Sequence, residues 1–489
     1  MEKLFQLKKN GTSVRTELIA GLTTFMTMAY IIALNPNLLT NFGAGDRSAP
    51  VPKLWNAVFL ATCIASAIGM FVMAFVANKP FAMAPGMGLN SFFAVVVGNI
   101  VGLTGMTYVE SFQAALCIIL IEGVIFLVLS VLNIRDKIVR AIPLGIRMGI
   151  APAIGMMLLN IGLGSNAGIM GFTGGQCGNE SATFYVMRDF FGALTPSAAA
   201  NNMASAGASY ETMVLTVVTM FVGLFIILIL DHKKVKGSVL IGMLSASVVY
   251  WAGEAIFLGV NPFASLAGAS FVPPFQDMAE TTLFKFNFKG FIEMGWVTVI
   301  SLVITFCIID MFDTIGTLVG TASRAGMVDK QGNMPKMKEA LLADAVGTVA
   351  GAVTGTSTVT TFVESASGVE AGGRTGLTAL TTGILFLACM FIAPVAALIP
   401  AAATSAALIY VGILMLGGLK NVDFKDMSQL VPVAIMLIAM PISGSIGHAI
   451  GLGLIVYTVM KVFTGKAKEV SVLTYVISLL FLVKFFLVA

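Results

Sequence analysis

The chain has 489 residues, of which 57% are hydrophobic and 11% are charged. Soluble domains carry about 25% charged residues, so this composition excludes an ordinary soluble domain and indicates a polytopic membrane protein in a lipid bilayer. The formal net charge of +4 comes without any basic run interleaved with aromatic side chains, which argues for membrane orientation and against a nucleic-acid partner.

The N-terminal segment and the reactive residue types narrow the class further. The first fifteen residues are too polar for the apolar region of a signal peptide, so we expect Glu17 onward to be a retained first span. The five cysteines show no spacing typical of a metal site or disulfide framework, and we expect no metal and no cofactor. With two histidines and no HExxH or GxSxG motif, the sequence argues against an enzyme.

Apolar runs near the length of about 20 residues that crosses a bilayer predict seven spans in each half of the chain. The first set lies near residues 17–35, 55–77, 84–103, 110–132, 137–163, 211–230 and 237–258. The second set lies near 294–321, 339–352, 358–372, 376–399, 404–419, 427–441 and 443–462. Because each number is odd, the second half enters the membrane upside down, which is typical of an inverted-repeat transporter.

The basic loops predict the orientation. With a cytoplasmic N-terminus, the positive-inside rule is satisfied by all of the basic clusters: Lys79, Arg135 to Arg140, His232 to Lys236, Arg324 to Lys338, Lys420 to Lys425 and Lys461 to Lys468. The turn-rich segments 164–210 and 259–293 then face outward, and we interpret them as covering loops and not as catalytic domains. The apolar tail 470–489 either crosses the membrane or lies on its surface.

Two segments, each the third span of its half, predict interrupted helices. In KPFAMAPGMGLNSFFA, Pro85, Gly86 and Gly88 disfavour a continuous helix. In TSTVTTFVE, β-branched residues favour an extended backbone. Two such extended pieces could pair at the centre of the protein and leave two helix N-termini facing one ligand.

Acidic residues at bilayer depth mark the candidate pocket. Glu364 follows the Thr-rich run, and carboxylates inside a membrane are costly and usually functional. Asp310 and Asp313 are three residues apart in a helical pattern and project from one face. We expect these acids and Asn90 to line one pocket. The alternatives are a carboxylate stabilising its own helix, an interhelical hydrogen-bond network for the aspartates, and a simple helix cap for Asn90.

Other polar residues in the apolar spans receive a structural interpretation. We expect Asp344, Glu370 and Arg374 to form an electrostatic set near the cytoplasmic ends of spans 9 to 11. Glu122 is either a packing contact or a hydrated acid at the lipid edge. His448 is expected to pack rather than to bind a ligand.

Five motifs together resemble one family over nearly the whole chain. They are GTSVRTELIAGLTTFMTMAYIIALNP, ANKPFAMAPGMGLNSFFA, IDMFDTIGTLVG, ALLADAVGTVAGAVTGTSTVTTFVESASGVEAGGRTGLTA and PISGSIGHAIGLG. The family is that of the purine nucleobase permeases of the nucleobase:cation symporter-2 superfamily, in the azaguanine, hypoxanthine, guanine and adenine branch.

The resemblance implies an all-α polytopic protein with about 14 spans in a 7+7 inverted repeat, the uracil-permease-like fold. It implies a core domain from residues 17–133 and 294–400 and a gate domain from 137–260 and 404–465, with 470–489 as an extra helix. It also implies elevator-like alternating access in the plasma membrane and a possible homodimer through the gate domains.

The family's polar site residues carry over to Asn90, Asp310, Asp313 and Glu364. Thr361 and Phe362, just before Glu364, complete the expected substrate site, with Phe362 as one candidate stacking ring. The other candidate rings are Phe25, Phe92 and Phe312.

A purine suits this set, because carboxylates accept from its N–H groups while an asparagine amide both donates and accepts. The expected function is import of guanine, hypoxanthine and/or adenine by proton symport, with Asp310, Asp313 and Glu364 as coupling residues. Uracil-carrying relatives have a histidine after the span 8 carboxylate where this chain has Thr314, so the proton carrier is open. Sodium is a less favoured ion. An anion carrier on the same fold is the alternative, disfavoured because three acids would repel an anion.

Overall fold

The computed structural model describes residues 2–41, 52–132, 143–163, 210–324, 327, 334–443 and 446–487. In the first half, the helices are α1 (Glu2–Phe5), α2 (Val14–Met28), α3 (Ile31–Asn41), α4 (Pro52–Val72), α5 (Met87–Thr104), α6 (Tyr108–Val131), α7 (Leu144–Leu163), α8 (Tyr210–His232), α9 (Ser238–Gly253), α10 (Phe275–Thr281) and α11 (Phe288–Glu293). In the second half, they are α12 (Trp296–Arg324), α13 (Met337–Thr354), α14 (Ser365–Glu370), α15 (Gly376–Ala388), α16 (Ala393–Ala396), α17 (Ala401–Leu416), α18 (Met427–Ser443), α19 (Ile446–Phe463) and α20 (Val472–Leu487).

The helices confirm a polytopic all-α membrane protein. Within the described ranges, ten helical segments are long and apolar enough to cross a membrane, and α18, α19 and α20 are shorter apolar helices. The exact number of spans therefore stays a prediction, and so does the crossing of the membrane by α20. The predicted segment 164–210 lies almost entirely outside the described residues.

The first span differs from its prediction because it is broken. The sequence predicts one helix near 17–35, whereas α2 ends at Met28 and α3 begins at Ile31. The residues between them, Ala29 and Tyr30, form a turn, and Tyr30 is fully buried. The break therefore turns the tyrosine side chain toward the protein interior.

The two interrupted segments meet as a two-stranded antiparallel sheet. Strand β1 (Met83–Pro85) pairs with β2 (Val359–Thr361), with Met83 opposite Thr361 and Pro85 opposite Val359. All residues of both strands are buried. Strand β1 leads through Gly86 into α5, and β2 leads through Glu364 into α14. The extended pieces expected in the third span of each half, and their pairing, are confirmed.

Helix contacts fall into two groups. In the first group, α13 packs on α4 and α6, and α15 packs on α2 and α4. In the second group, α7 packs on α17 and α18, and α8 packs on α9 and α17. The first group contains the predicted spans 1 to 4 and 8 to 11, whereas the second contains spans 5 to 7 and 12 to 14. The assignment of these groups to a core domain and a gate domain stays a prediction.

A buried carboxylate joins the first span to the eleventh. Glu17, in the first turn of α2, is fully buried and accepts hydrogen bonds from the Arg374 N–H at 2.8 Å and the Thr378 hydroxyl at 2.6 Å. It also accepts from the Thr378 N–H at 3.2 Å, so it satisfies donors at the start of α15. The Arg374 guanidinium donates to the carbonyls of Val369 and Gly373 instead.

The segment 259–293, which is predicted to face outward, packs against the first helix group. Helix α10 contacts α4, and the contact includes an ion pair between Lys53 and Glu280 at 2.7 Å. The Asn56 amide donates to Asp277 at 2.7 Å. This segment is therefore attached to the second span.

Glycine allows close approach of α2 and α15. A Cβ atom at Gly21 would lie 2.5 Å from the Thr381 Cβ and 2.8 Å from the Thr378 carbonyl oxygen. We expect Gly21→Ala to lower the free energy of unfolding by about 1–3 kcal/mol, because backbone on α15 cannot move aside. Thermal melting of the purified protein in detergent measures this.

Gly98→Ala is the matched control. Gly98 lies in α5, and a Cβ atom added there would have no neighbouring heavy atom within 4 Å, so its replacement adds no contact among the described residues. Equal melting temperatures for the two variants would contradict the close packing of α2 on α15.

Candidate substrate site at the crossing strands

The Thr-rich loop before β2 is held by three different helices. Asn35 of α3 donates to the Thr356 hydroxyl at 2.9 Å. The Ser357 hydroxyl donates to the amide oxygen of Asn90 in α5. The Thr358 hydroxyl donates to Glu122 of α6 at 2.7 Å. Each successive loop residue therefore has its own polar partner, which fixes the path of the chain into β2.

The contacts of this loop bear on the sequence interpretations of Glu122 and Asn90. Glu122 is fully buried against Thr358, so it is a polar packing contact and not an acid at the lipid edge. Asn90 is also fully buried, and its amide nitrogen donates to the Pro85 carbonyl at 3.2 Å. Asn90 thus ties the start of α5 to both crossing segments. Its contact with a substrate stays a prediction.

Thr314 of α12 is the centre of a fully buried polar cluster. Its hydroxyl oxygen lies 3.0 Å from Asp310 Oδ1, 2.7 Å from Asp344 Oδ1 and 2.6 Å from the Thr360 hydroxyl of β2. All four residues are buried. A hydroxyl has one hydrogen to donate, so Thr314 can serve only one of the two carboxylates at a time.

Asp344 lies elsewhere than the sequence predicts. The prediction places it beside Glu370 and Arg374 near the cytoplasmic ends of spans 9 to 11, but it lies in the buried cluster with Thr314. Its sequence context, ALLADAVGT, is an unbroken helix of small residues and carries no turn or repeat that would mark a site. Only the packing of α13 beside β2 reveals its position.

Asp313 faces the start of α5. A Cβ atom on Gly86 would lie 3.3 Å from Asp313 Oδ2, so the carboxylate sits against the residue that precedes this helix. The first N–H groups of a helix lack intrahelical partners and carry partial positive charge, which stabilises an adjacent negative charge. Asp313 is half-buried, whereas Asp310 is fully buried. Asp310 and Asp313 therefore lie in different environments.

Glu364 is held by the first span. The Tyr30 hydroxyl donates to Glu364 Oε1 at 2.6 Å. Glu364 is the N-cap residue of α14, and its side chain makes no capping hydrogen bond to this helix. Glu364 is half-buried. Sequence reasoning misses Tyr30 because it stands in a continuous apolar run, without a glycine or proline to mark the break beside it.

The four aromatic rings that are candidates for stacking on the substrate differ in their packing. Phe92 is 2% exposed, and its ring centroid lies 4.7 Å from that of Phe306. The ring of Phe25 meets that of Phe386 edge-on, with centroids 5.8 Å apart, so both candidates pack against other rings. The side chain of Phe312 lies outside the described residues. Phe362 follows Thr361, is 5% exposed, and its N–H donates to the Ala82 carbonyl. The substrate contacts of Thr361 and Phe362 stay predictions.

The fold and the site define a multi-pass membrane transporter, in which two interrupted helices cross beside buried and half-buried acids. The chain belongs to the Permease family Xan_ur_permease, whose model matches residues 15–187 and 189–447. It is therefore a permease and not an enzyme.

Several relatives are similar over their whole length. The adenine permease AdeP of Escherichia coli (strain K12) is 35% identical over 484 residues, 99% of this chain and 95% of the relative. The guanine/hypoxanthine permease PbuO of Bacillus subtilis (strain 168) is 37% identical over 487 residues, 99% of this chain and 100% of the relative.

Solved structures share the fold of this chain, and the inverted repeat stays a prediction. The transmembrane domain of the cyanobacterium bicarbonate transporter BicA is similar with a TM-score of 0.57 and 15% identity, covering 88% of this chain and 97% of that one. The structure of SLC26A9 is similar with a TM-score of 0.59 and 10% identity, covering 92% of this chain and 66% of that one. At these identities the likeness concerns the fold alone.

Thr314→Val tests the buried cluster. Valine keeps the shape but removes the hydroxyl shared by Asp310 and Asp344, so we expect the free energy of unfolding to fall by about 1–3 kcal/mol. Thr314→Ser keeps the donor and should restore most of the loss. Thermal melting in detergent measures both variants.

Thr305→Val in the same helix is the control, because its hydroxyl donates to the Ser301 carbonyl one turn earlier, at 2.7 Å, and meets no carboxylate among the described residues. If Thr314→Val melted at the same temperature as Thr305→Val, the cluster would contribute nothing beyond an ordinary threonine.

Proposed function

We propose that this protein imports purine nucleobases, namely guanine, hypoxanthine and/or adenine, by proton symport. Two proteins that are similar to this chain over nearly their whole length are named an adenine permease and a guanine/hypoxanthine permease. The proposal further includes residence in the plasma membrane with a cytoplasmic N-terminus, and a possible homodimer through the second helix group.

The observation that carries the proposal is the pair of half-buried carboxylates at the crossing strands. Asp313 and Glu364 are partly accessible, whereas the other polar groups of the site are enclosed. Carboxylate oxygens accept from the ring and exocyclic N–H groups of a purine. The N–H groups at the start of α5, beside Asp313, can serve the acceptor edge of the same base. A neutral, flat ligand that has a donor edge and an acceptor edge fits both the carboxylates and the helix N–H groups.

Proton coupling is supported by the buried cluster behind the site. Burial in a medium of low dielectric constant disfavours the ionised form of a carboxylate, and a second carboxylate nearby disfavours it further. Asp310 and Asp344 are fully buried and meet the same Thr314 hydroxyl. We propose that Asp310, Asp313 and Glu364 share the coupling proton, with Asp344 as an additional member.

Movement of the two helix groups supplies alternating access in this proposal. Both crossing strands and all four acids belong to the first group, which also contains α2, α4, α6 and α13. The first group can therefore carry the whole site as one body. An elevator-like displacement past the second group would expose it to each side in turn.

The alternative is an anion carrier on the same fold as the bicarbonate transporter BicA. That likeness, like the one to SLC26A9, concerns the fold alone. An anion at the crossing strands would lie near Asp313 and Glu364 and be repelled at short range. The acids therefore favour a neutral substrate.

Uptake of radiolabelled purines tests the substrate. We expect cells that lack their own purine permeases to accumulate labelled guanine, hypoxanthine or adenine when they produce this protein, and unlabelled purines to compete. Glu364→Gln and Asp310→Asn should each reduce uptake at least tenfold with an unchanged amount of protein in the membrane, because the acceptor charge is lost.

Asp423→Asn is the matched control, since Asp423 is exposed and accepts a hydrogen bond within its own loop. Wild-type uptake in both site variants would remove these residues from the site. Accumulation of bicarbonate or sulfate without purine uptake would support the anion carrier instead.

Vesicles containing the purified protein test the coupling ion. An imposed pH gradient, acid outside, should drive purine accumulation that a proton uncoupler abolishes, because the proton is taken up with the base. Accumulation that requires a sodium gradient and resists the uncoupler would show that sodium is the coupling ion.

A further inference from the structure

We propose that Tyr30 is a positioning residue for the substrate, acting through Glu364. Its hydroxyl holds one oxygen of the Glu364 carboxylate and leaves the other, Oε2, as the acceptor for an N–H group of the base. The inference rests on the proposed function, because it assigns to Glu364 the contact with a purine.

The hydrogen bond is short and enclosed. The Tyr30 hydroxyl oxygen lies 2.6 Å from Glu364 Oε1, a distance typical of a hydroxyl that donates to an ionised carboxylate. Tyr30 is fully buried, while Glu364 is half-buried. The tyrosine thus approaches the carboxylate from the protein interior, which leaves the accessible side to a ligand.

The backbone that carries Tyr30 is fixed against the backbone that carries Glu364. Thr24 and Thr27 are three residues apart in α2, so they lie along one side of this helix. The Thr27 and Ser367 hydroxyls are 2.9 Å apart, and Gly368 of α14 lies directly against Thr24. The first span therefore contacts the segment after Glu364 at two points before Tyr30 reaches the carboxylate.

The break in the first span makes this geometry possible. Helix α2 ends at Met28, and the chain turns at Ala29 and Tyr30 before α3 starts at Ile31. Thr27, near the end of α2, contacts Ser367, whereas Tyr30, after the break, donates to Glu364. A glutamate side chain has three rotatable bonds, and fixing it before the ligand arrives reduces the entropy lost on binding.

The charged and titratable neighbours of Glu364 come from three parts of the chain. Tyr30 comes from the first span, Asp313 from α12 and Tyr410 from α17, and all three interact electrostatically with Glu364. Tyr30 and Asp313 belong to the first helix group, whereas Tyr410 belongs to the second. The hydrogen bond between Tyr30 and Glu364 therefore persists if the first group moves as a body, whereas the electrostatic interaction with Tyr410 does not.

Tyr30→Phe removes only the hydroxyl. We expect it to raise the KM for purine uptake about tenfold, since a hydrogen bond to a charged group is lost, with a Vmax within about twofold of wild type. A merely structural role would lower the amount of protein in the membrane and hence Vmax, and would leave KM unchanged. An unchanged KM would overturn the inference.

Tyr108→Phe is the matched control, because the Tyr108 hydroxyl donates to the Leu39 backbone carbonyl at 2.6 Å in the same helix group. It removes one part-buried tyrosine hydrogen bond whose acceptor is a backbone carbonyl. We expect its KM to equal that of the wild type, and a tenfold rise in this variant too would overturn the assignment to Tyr30.

Melting temperatures of purified protein without substrate test whether Tyr30 acts through Glu364. Tyr30→Phe should lower the melting temperature of the wild type but should not lower that of Glu364→Ala further, because the acceptor is already gone. Equal decreases in both backgrounds would overturn the inference. Failure of the wild type to take up any purine would instead overturn the proposed function, and this outcome is seen before any variant is compared.

Discussion

The structure depends on one constraint, which is that polar groups far from water must find partners inside the protein. Two interrupted helices expose backbone N–H and C=O groups where no lipid can satisfy them. Strands β1 and β2 solve this by pairing with each other. The Gly86 N–H continues the pairing by donating to the Thr358 carbonyl. The same pairing brings the start of α5, against which Asp313 lies, close to the segment that carries Glu364.

Enclosure divides the acids into two kinds. Asp310, Asp344 and Glu122 are fully buried and each meets a threonine hydroxyl. Asp313 and Glu364 are half-buried. Asp313 lies against the start of α5, and Glu364 accepts a hydrogen bond from Tyr30. Enclosed and partly accessible carboxylates therefore occur together at the crossing strands.

Much of this arrangement was predictable from sequence, because local chemistry decides it. Pro85 and Gly86 together disfavour a continuous helix, and the β-branched residues from Val359 to Thr361 favour an extended strand. Asp344 and Tyr30 were not predictable. Asp344 lies in an unbroken helix, and Tyr30 in an apolar run, so each acquires its partner only from tertiary packing. Glu122 illustrates the same limit, since its burial depends on where the loop before β2 lies.

The antiparallel sheet has a consequence for how the protein is made. Its strands come from opposite halves of the chain, and Pro85 must wait for Val359 to be synthesised and inserted. Until then the first interrupted segment has backbone groups that only water or the insertion machinery can satisfy. The centre of the molecule is therefore among the last parts to assemble, even though half of its residues are among the first to leave the ribosome.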